Sequence, residues 1–109
     1  MSESTAGRQL GPEFDDEGFL RDSDSWNEGL ARRLALELGV TDLTAAHWRV
    51  LHYLREHYLE HGALPGMAHV CRVTGMERHC VEHLFAQRAL LAWKLAGLPN
   101  PGEELKAYW

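Results

Sequence analysis

The sequence predicts a mainly helical domain of the α+β class with one small β-hairpin near its N-terminus. Apolar residues recur at helical spacing along most of the chain, capping residues and glycines bound these segments, and an acidic turn precedes them. Apolar residues make up 45% of the 109 residues, enough for a packed core without metal or disulfide. We therefore expect one domain over residues 13–101, a disordered tail over 1–12 and a C-terminal arm over 102–109.

The hairpin is predicted from Phe14, Phe19 and Leu20, which flank the acidic stretch Asp15-Asp16-Glu17. Gly18 closes that stretch and can adopt the positive φ that a tight turn needs. Two strands alone are marginal in water, so the hairpin should lie on helices. The acidic run is interpreted as a solvated turn rather than a docking site for a basic partner.

The first two helices are predicted from their caps. Residues Asp22 to Ser25 offer N-cap side chains, with Glu28 as the capping-box partner of Ser25, and Gly39 is a natural C-cap. Thr44 caps the second helix, which ends at Gly62. Their inward residues are Leu30, Ala31, Leu34, Ala35 and Leu38 in the first helix and Trp48, Leu51, Tyr53, Leu54 and Tyr58 in the second.

Two further helices are expected in the C-terminal half. Pro65 occupies the first turn of the third helix, which breaks at Thr74-Gly75. A long fourth helix runs from about Glu77 and stops at Gly97, since Pro99 prevents it from resuming. The two helices joined across Thr74-Gly75 resemble a helix-turn-helix.

The charge is unevenly distributed along the chain. Residues 1–28 contain eight acids and two arginines, a net of −6, so the remainder sums to +1 in a chain of net charge −5. This balance argues against strong non-specific binding of nucleic acid. The N-terminal residues lack a signal-peptide pattern and no apolar run approaches a membrane span, so we expect a cytoplasmic protein.

Several segments together resemble the DsrC/TusE family of sulfur-relay proteins over roughly residues 14–101. They are Asp16-Glu17-Gly18-Phe19-Leu20 with Trp26, Leu43-Thr44-Ala45-Ala46-His47-Trp48 running on to Leu54-Arg55 and Tyr58, Pro65 with Leu84-Phe85, and Ala96-Gly97-Leu98-Pro99-Asn100-Pro101. The resemblance implies a hairpin packed on an orthogonal helical bundle, with a flexible C-terminal arm. It also implies cytoplasmic sulfur transfer with small sulfurtransferases or sulfite-reductase-like complexes, and for His47 a packing or capping role.

The chain departs from the family where the family's chemistry lies. Sulfur-carrying members have a penultimate cysteine on the arm, whose thiolate attacks a persulfide sulfur. Glu104 stands at that position, and the second family cysteine would fall near Trp93 or Lys94. A carboxylate cannot hold a persulfide. The leading hypothesis is therefore a non-catalytic accessory or regulatory protein that needs no cofactor.

Binding of a sulfur-transfer partner is assigned to the arm and to the surface of the last helix. The residues predicted for it are Arg88, Lys94, Leu98, Pro99, Pro101, Tyr108 and Trp109. Tyrosine and tryptophan often dominate binding hot spots, which favours the C-terminal aromatic pair as an anchor. The alternative is that Trp109 packs on its own domain.

Two other functions stay open. Cys71 and Cys80 could meet as a redox pair or serve as a relocated sulfur site, although free cysteine is usually a buried small hydrophobe. The helix-turn-helix-like segment of residues 65–94 could bind DNA, with contacts at Arg72, Arg78, His79 and Arg88.

Histidine pairs raise the question of a metal site. His57 with His61, and His79 with His83, stand four residues apart, so each pair shares one helix face. The pairs belong to different helices and no glutamate completes an HExxH pattern. We expect solvent-exposed histidines and no metal.

Overall fold

The computed structural model describes residues 12–40, 42–63, 65–107 and 109. The predicted tail therefore lies almost entirely outside the described residues, as does Tyr108. A 3₁₀ helix, Ser23–Ser25, precedes the α-helices. In the described part of the chain these are α1 Glu28–Leu38, α2 Ala45–His61, α3 Met67–Val73, α4 Cys80–Leu84, α5 Leu90–Leu95 and α6 Glu103–Lys106.

Helix α2 lies at the centre of the fold. It contacts α3, α4 and α5, while α1 packs against α5 and α3 against α4. Val50, Leu51 and Leu54 of α2 have no exposed surface. The apolar side of α2 thus forms the middle of one core, as expected for a mainly helical domain.

The predicted N-terminal hairpin is reduced to a single antiparallel bridge between Phe14 and Leu20. No strand is present among residues 12–40, 42–63, 65–107 and 109. The turn forms because the backbone N–H of Asp15 donates to the carbonyl of Phe19 at 2.8 Å, while the Asp15 carboxylate accepts from the N–H groups of Glu17 and Phe19. These side-chain bonds replace the ladder that a longer hairpin would need. Phe14, Phe19 and Leu20 are all buried, so the turn does pack on the helices.

The helix ends follow the capping predictions with one shift. Gly39 and Gly62 are the C-caps of α1 and α2, as predicted. The N-cap of α1 is Asn27, whose side chain accepts from the N–H of Leu30, and not Ser25. Ser25 is held in the 3₁₀ helix, so α1 begins two residues later than a Ser25 cap would place it.

The N-terminus of α2 carries a capping box built on Thr44 and His47. The Thr44 N–H donates to Nδ1 of His47 at 3.1 Å, and Nε2 of His47 donates to the carbonyl of Leu84 at 2.8 Å. With only 8% of its surface exposed and both ring nitrogens engaged, His47 is a structural residue. The prediction of a packing and capping role is confirmed.

The prediction of one long helix from residue 77 is wrong. The segment forms two helices, α4 and α5, separated by a turn in which Ala86 and Gln87 have positive φ, 57° and 64°. The turn is tied back by the N–H of Gln87, which donates to the carbonyl of Glu82 at 2.7 Å. Left-handed backbone at two non-glycine residues carries strain that apolar spacing cannot reveal. Likewise, α3 begins at Met67, two residues after the predicted Pro65.

Arg55 joins the N-terminal segment to the end of α5. Its Nη1 donates to the carbonyl of Ala96 at 2.9 Å and its Nη2 to the carbonyl of Ser23 at 3.1 Å. The guanidinium also lies 4.5 Å from the centroid of the Trp26 ring. Burial lowers the pKa of Arg55, and the charge of Asp24 opposes that shift.

We expect Arg55→Ala to lower the free energy of unfolding by about 2 kcal/mol, because the buried backbone carbonyl of Ala96 loses its hydrogen-bond donor. Arg55→Lys should recover less than half of this, since one ammonium group cannot reach both carbonyls. Urea unfolding of the natural chain, Arg55→Lys and Arg55→Ala checks this order of stability. A lysine variant as stable as the natural chain would show that charge over Trp26, and not the forked hydrogen bonding, is what matters.

Candidate functional site: the C-terminal arm and the groove beside it

The C-terminal arm and the residues that lead into it contact the body at three places. The amide of Asn100 donates to the carboxylate of Asp15 at 3.2 Å. Lys106 forms ion pairs with Glu17 and with Glu103. At the chain end, the indole N–H of Trp109 donates to the carbonyl of Pro65 at 2.9 Å. The arm therefore lies along the body from the N-terminal turn to the residues that precede α3.

Trp109 packs on its own domain, as the alternative interpretation held. Its ring centroid lies 6.1 Å from that of Trp93, and the Trp93 ring is 5.9 Å from that of Tyr58 at an interplanar angle of 89°. Trp93 is 1% exposed, and its N–H donates to the carbonyl of Pro99 at 2.7 Å. Trp93 thus forms the floor on which the end of the arm rests. Trp109 itself remains partly exposed above it.

Charged groups on the N-terminal turn hold the arm electrostatically. The hydrogen bond to Glu17 raises the pKa of Lys106, and the charge of Glu103 adds to this effect. Burial works against the carboxylate of Asp15, but hydrogen bonds from Phe19, Asn100 and Glu17 hold the pKa of Asp15 below its ordinary value. Lys106 and Asp15 are therefore both charged at neutral pH. Lys106 holds the arm through its ion pair with Glu17, and Asp15 holds the residues that lead into the arm through its hydrogen bond from Asn100.

A groove of about 250 Å³ opens beside the arm, and we call it the arm groove. It is lined by Gln87, Arg88, Ala89, Leu90, Leu91, Lys94 and Trp109. Three of the residues predicted to bind a partner, Arg88, Lys94 and Trp109, thus line one groove. No acid is among the lining residues. The groove offers two cations, an indole ring and an apolar wall.

The electrostatics of the arm groove are set by Lys94. Burial lowers its pKa, and the nearby charge of Arg88 lowers it further, whereas Glu17 and Asp15 act in the opposite direction. Its Nζ lies 5.2 Å from the centroid of the Phe19 ring. A partner carboxylate entering the groove would relieve the repulsion between Lys94 and Arg88.

The remaining predicted contacts lie in other environments. Leu98 is fully buried and belongs to the core, so the prediction that places it on a binding surface is corrected. Pro99 is partly buried, with its carbonyl occupied by Trp93, and Pro101 is partly exposed at the start of the arm. The sequence did not predict the carbonyl of Pro65 as the acceptor for the Trp109 indole, because every residue has a backbone carbonyl and its use leaves no signal in sequence.

Cys71 and Cys80 are joined by a disulfide that links the last turn of α3 to the first residue of α4. Their Cα atoms are 5.7 Å apart, and the two residues are 0% and 3% exposed. Cys71 therefore lies in the core, as is usual for cysteine, Cys80 is fully buried rather than half-buried, and the two meet as a pair. Since these are the chain's two cysteines, no thiol is free in this state.

The predicted DNA-reading arrangement is not supported by the geometry. Helix α4 has five residues, and Arg78 and His79 lie in the turn before it, not on its surface. Arg72 is on α3 within reach of His69 Nδ1 at 3.0 Å, and Arg88 lies in the arm groove. The four proposed contacts therefore share no helix that could enter a major groove.

Three of the four paired histidines, His61, His79 and His83, are exposed, and His57 is partly exposed. The ring centroids of His57 and His61 are 4.7 Å apart, and those of His79 and His83 are 6.2 Å apart. Nδ1 of His83 instead donates to the carboxylate of Glu77 at 2.7 Å. Across the described ranges, no group of three or more potential ligands is placed to hold a metal ion.

These features define a class of molecule: a small helical protein that holds a C-terminal arm against its body beside a cationic groove. In the portion of the chain that the structure describes, none of the helices has the length and apolarity to cross a membrane. Among known proteins, the family described as DsrC like protein matches residues 5–104. The chain belongs to this DsrC/TusE family of sulfur-relay proteins.

Individual relatives agree with the family assignment. The chain is 36% identical over 100 residues to the sulfurtransferase TusE homolog of Haemophilus influenzae, covering 84% of this chain and 90% of that protein. It is 33% identical over 97 residues to sulfurtransferase TusE of Escherichia coli K12, covering 82% and 88%.

Solved structures show the same fold. The chain resembles the oxidized gamma-subunit of the dissimilatory sulfite reductase (DsrC) from Archaeoglobus fulgidus, with a TM-score of 0.71 at 29% identity over 83% of this chain and 89% of that chain. It also resembles a chain of dissimilatory sulfite reductase I (DsrI), with a TM-score of 0.75 at 27% identity over 84% and 88%.

Proposed function

We propose that this protein is an accessory or regulatory member of a sulfur relay, which binds sulfur-transfer partners without carrying persulfide itself. One observation carries the proposal: no thiol is free to carry sulfur. Glu104 stands where carriers of this family have a thiol, and the chain's two cysteines are buried and bonded to each other. A carboxylate has no sulfur atom with which to form the sulfur–sulfur bond of a bound persulfide. The rival function, carriage on Cys71 or Cys80, would require a thiolate that a donor protein can reach.

The proposed docking surface is the arm groove with the start of the arm. Arg88 and Lys94 supply positive charge, and the indole of Trp109 supplies a rigid apolar edge. Pro99 and Pro101 extend the proposed surface, and Tyr108, the neighbour of Trp109 in sequence, stays a predicted contact. The fitting partner is a protein of sulfur transfer, either a small sulfurtransferase or a sulfite-reductase-like complex, acting in the cytoplasm.

The proposal predicts that the natural chain takes up no sulfur from a persulfide donor. Intact-protein mass spectrometry after incubation with a small persulfide, in the absence of reductant, should show no added sulfur atom. Glu104→Cys is the matched control, because it restores a thiol on the arm and should load under the same conditions.

Loading of the natural chain that disappears in Cys71→Ala or Cys80→Ala would overturn the proposal and make the protein a carrier. Because Glu104→Cys shows that the donor is active, absence of loading in the natural chain then has a definite meaning.

A further inference from the structure

The disulfide joins α3, which begins two residues after the attachment point of the arm, to α4, which precedes the wall of the arm groove in the chain. Pro65, whose carbonyl receives the Trp109 indole, lies two residues before α3, and Cys71 lies in the last turn of α3. Cys80 opens α4, and the chain then passes through the left-handed turn at Ala86 and into the wall of the groove. The bond therefore fixes the attachment point of the arm relative to the wall of the groove.

We propose that Cys71 and Cys80 form a reversible thiol–disulfide site whose oxidation state controls the docking of the arm and the shape of the arm groove. This inference builds on the groove of the proposed function. Its readouts are the thiol state and the environment of Trp109, so its failure would leave the persulfide-loading result unchanged.

The redox partner is a low-molecular-weight disulfide of the glutathione class, reacting by thiol–disulfide exchange. The thiolate of Cys80, the less buried of the two, attacks one sulfur of the small disulfide, and a small thiolate leaves. The thiolate of Cys71 then attacks Sγ of Cys80 and expels the second small thiolate. The protons lost by the two cysteines end on the two released thiols, so the protein pair is oxidised and the small disulfide is reduced.

The site is built so that exchange requires a local opening. Both sulfurs are buried, but α3 has seven residues and α4 has five. Such short helices, joined by the turn at Thr74 and Gly75, have few internal hydrogen bonds and open at modest free energy. The disulfide is therefore protected from rapid exchange while remaining within reach of a small reagent.

Reduction changes the packing because two thiol sulfurs cannot remain at bonding distance. They must separate to van der Waals contact inside a core that is close-packed and does not absorb such a displacement locally. The displacement is passed to the ends of α3 and α4. At one end it moves Pro65 and with it the anchor of Trp109, and at the other it moves the wall of the groove.

The test is a titration of the full chain with reduced and oxidised glutathione. Alkylation with mass spectrometry reports the thiols, and proton–nitrogen NMR follows the indole N–H of Trp109, assigned by comparison with Trp109→Phe. We expect the bonded fraction to follow the glutathione ratio and the Trp109 indole N–H to exchange with solvent about tenfold faster or more after reduction. The Cys71→Ala, Cys80→Ala double variant is the control and should not respond to the ratio.

Two results would overturn the inference. One is rapid alkylation of both cysteines in protein purified without reductant and then treated with oxidised glutathione. The other is full reduction of the natural chain with no change at the Trp109 indole. Because the natural chain supplies both measurements, the test stands even if the double variant folds poorly.

Discussion

Gly97→Ala is expected to lower the free energy of unfolding by about 2–5 kcal/mol, the sum of overpacking, about 1–3 kcal/mol, and left-handed strain, about 1–2 kcal/mol. A Cβ at this position would lie 2.1 Å from Cδ1 and 2.6 Å from Cγ of Trp26, far inside van der Waals contact. Trp26 cannot easily move aside, because its N–H donates to the carbonyl of Leu95 at 2.8 Å and Arg55 covers its ring. The backbone of Gly97 also has a φ of +71°, a value that residues with a side chain rarely adopt.

Gly75→Ala is the matched control for this substitution. Gly75 has a similar φ of +77°, but an added Cβ there would meet nothing within 4 Å. It should therefore show only the conformational penalty, about 1–2 kcal/mol. Thermal and urea unfolding of both variants separate the two contributions, and equal losses would mean that Trp26 yields without resistance.

The ends of the first two helices could be predicted from sequence because their determinants are local. Thr44, Gly39 and Gly62 act through hydrogen bonds or backbone conformations within a few residues of themselves. The role of His47 at the same helix end followed from family resemblance. Its bond to the carbonyl of Leu84, however, joins residues that are distant in the chain and has no sequence signal.

The segment after residue 77 could not be predicted because tertiary contacts override its helical spacing. Apolar residues stand at helical intervals on both sides of Ala86 and Gln87, yet these two residues adopt left-handed backbone. Similarly, sequence spacing left the pairing of Cys71 and Cys80 open, because it does not say how α3 and α4 are oriented. Apolar periodicity predicts that a segment is helical, but it does not predict the residues at which packing against neighbouring elements interrupts the helix.

For the candidate site, residue chemistry was more informative than local pattern. Arg88, Lys94 and Trp109 were chosen as charged or aromatic groups near the arm, and the fold brings them to one groove. Leu98 was misplaced because its burial depends on how the segment after α5 turns back into the core. Its position in the chain, between Gly97 and Pro99, resembles that of an exposed loop residue.

Trp93→Ala is expected to lower the free energy of unfolding by about 3–5 kcal/mol, the range for truncation of a buried tryptophan. The loss combines a cavity beneath the arm with an unpaired carbonyl at Pro99. Because the ring also supports Trp109, the end of the arm should detach before the body unfolds. Urea unfolding gives the first effect, and solvent exchange of the Trp109 indole N–H in native buffer gives the second.

Trp93→Phe separates the ring from its hydrogen bond. Phenylalanine keeps most of the apolar surface against Tyr58 and Trp109 but cannot donate to Pro99, so the loss should be about 1–2 kcal/mol. The arm should remain docked in this variant. If phenylalanine were as damaging as alanine, the Pro99 hydrogen bond would be the dominant contribution. The arm would then be held through the loop that carries Pro99, and the aromatic floor beneath Trp109 would be secondary.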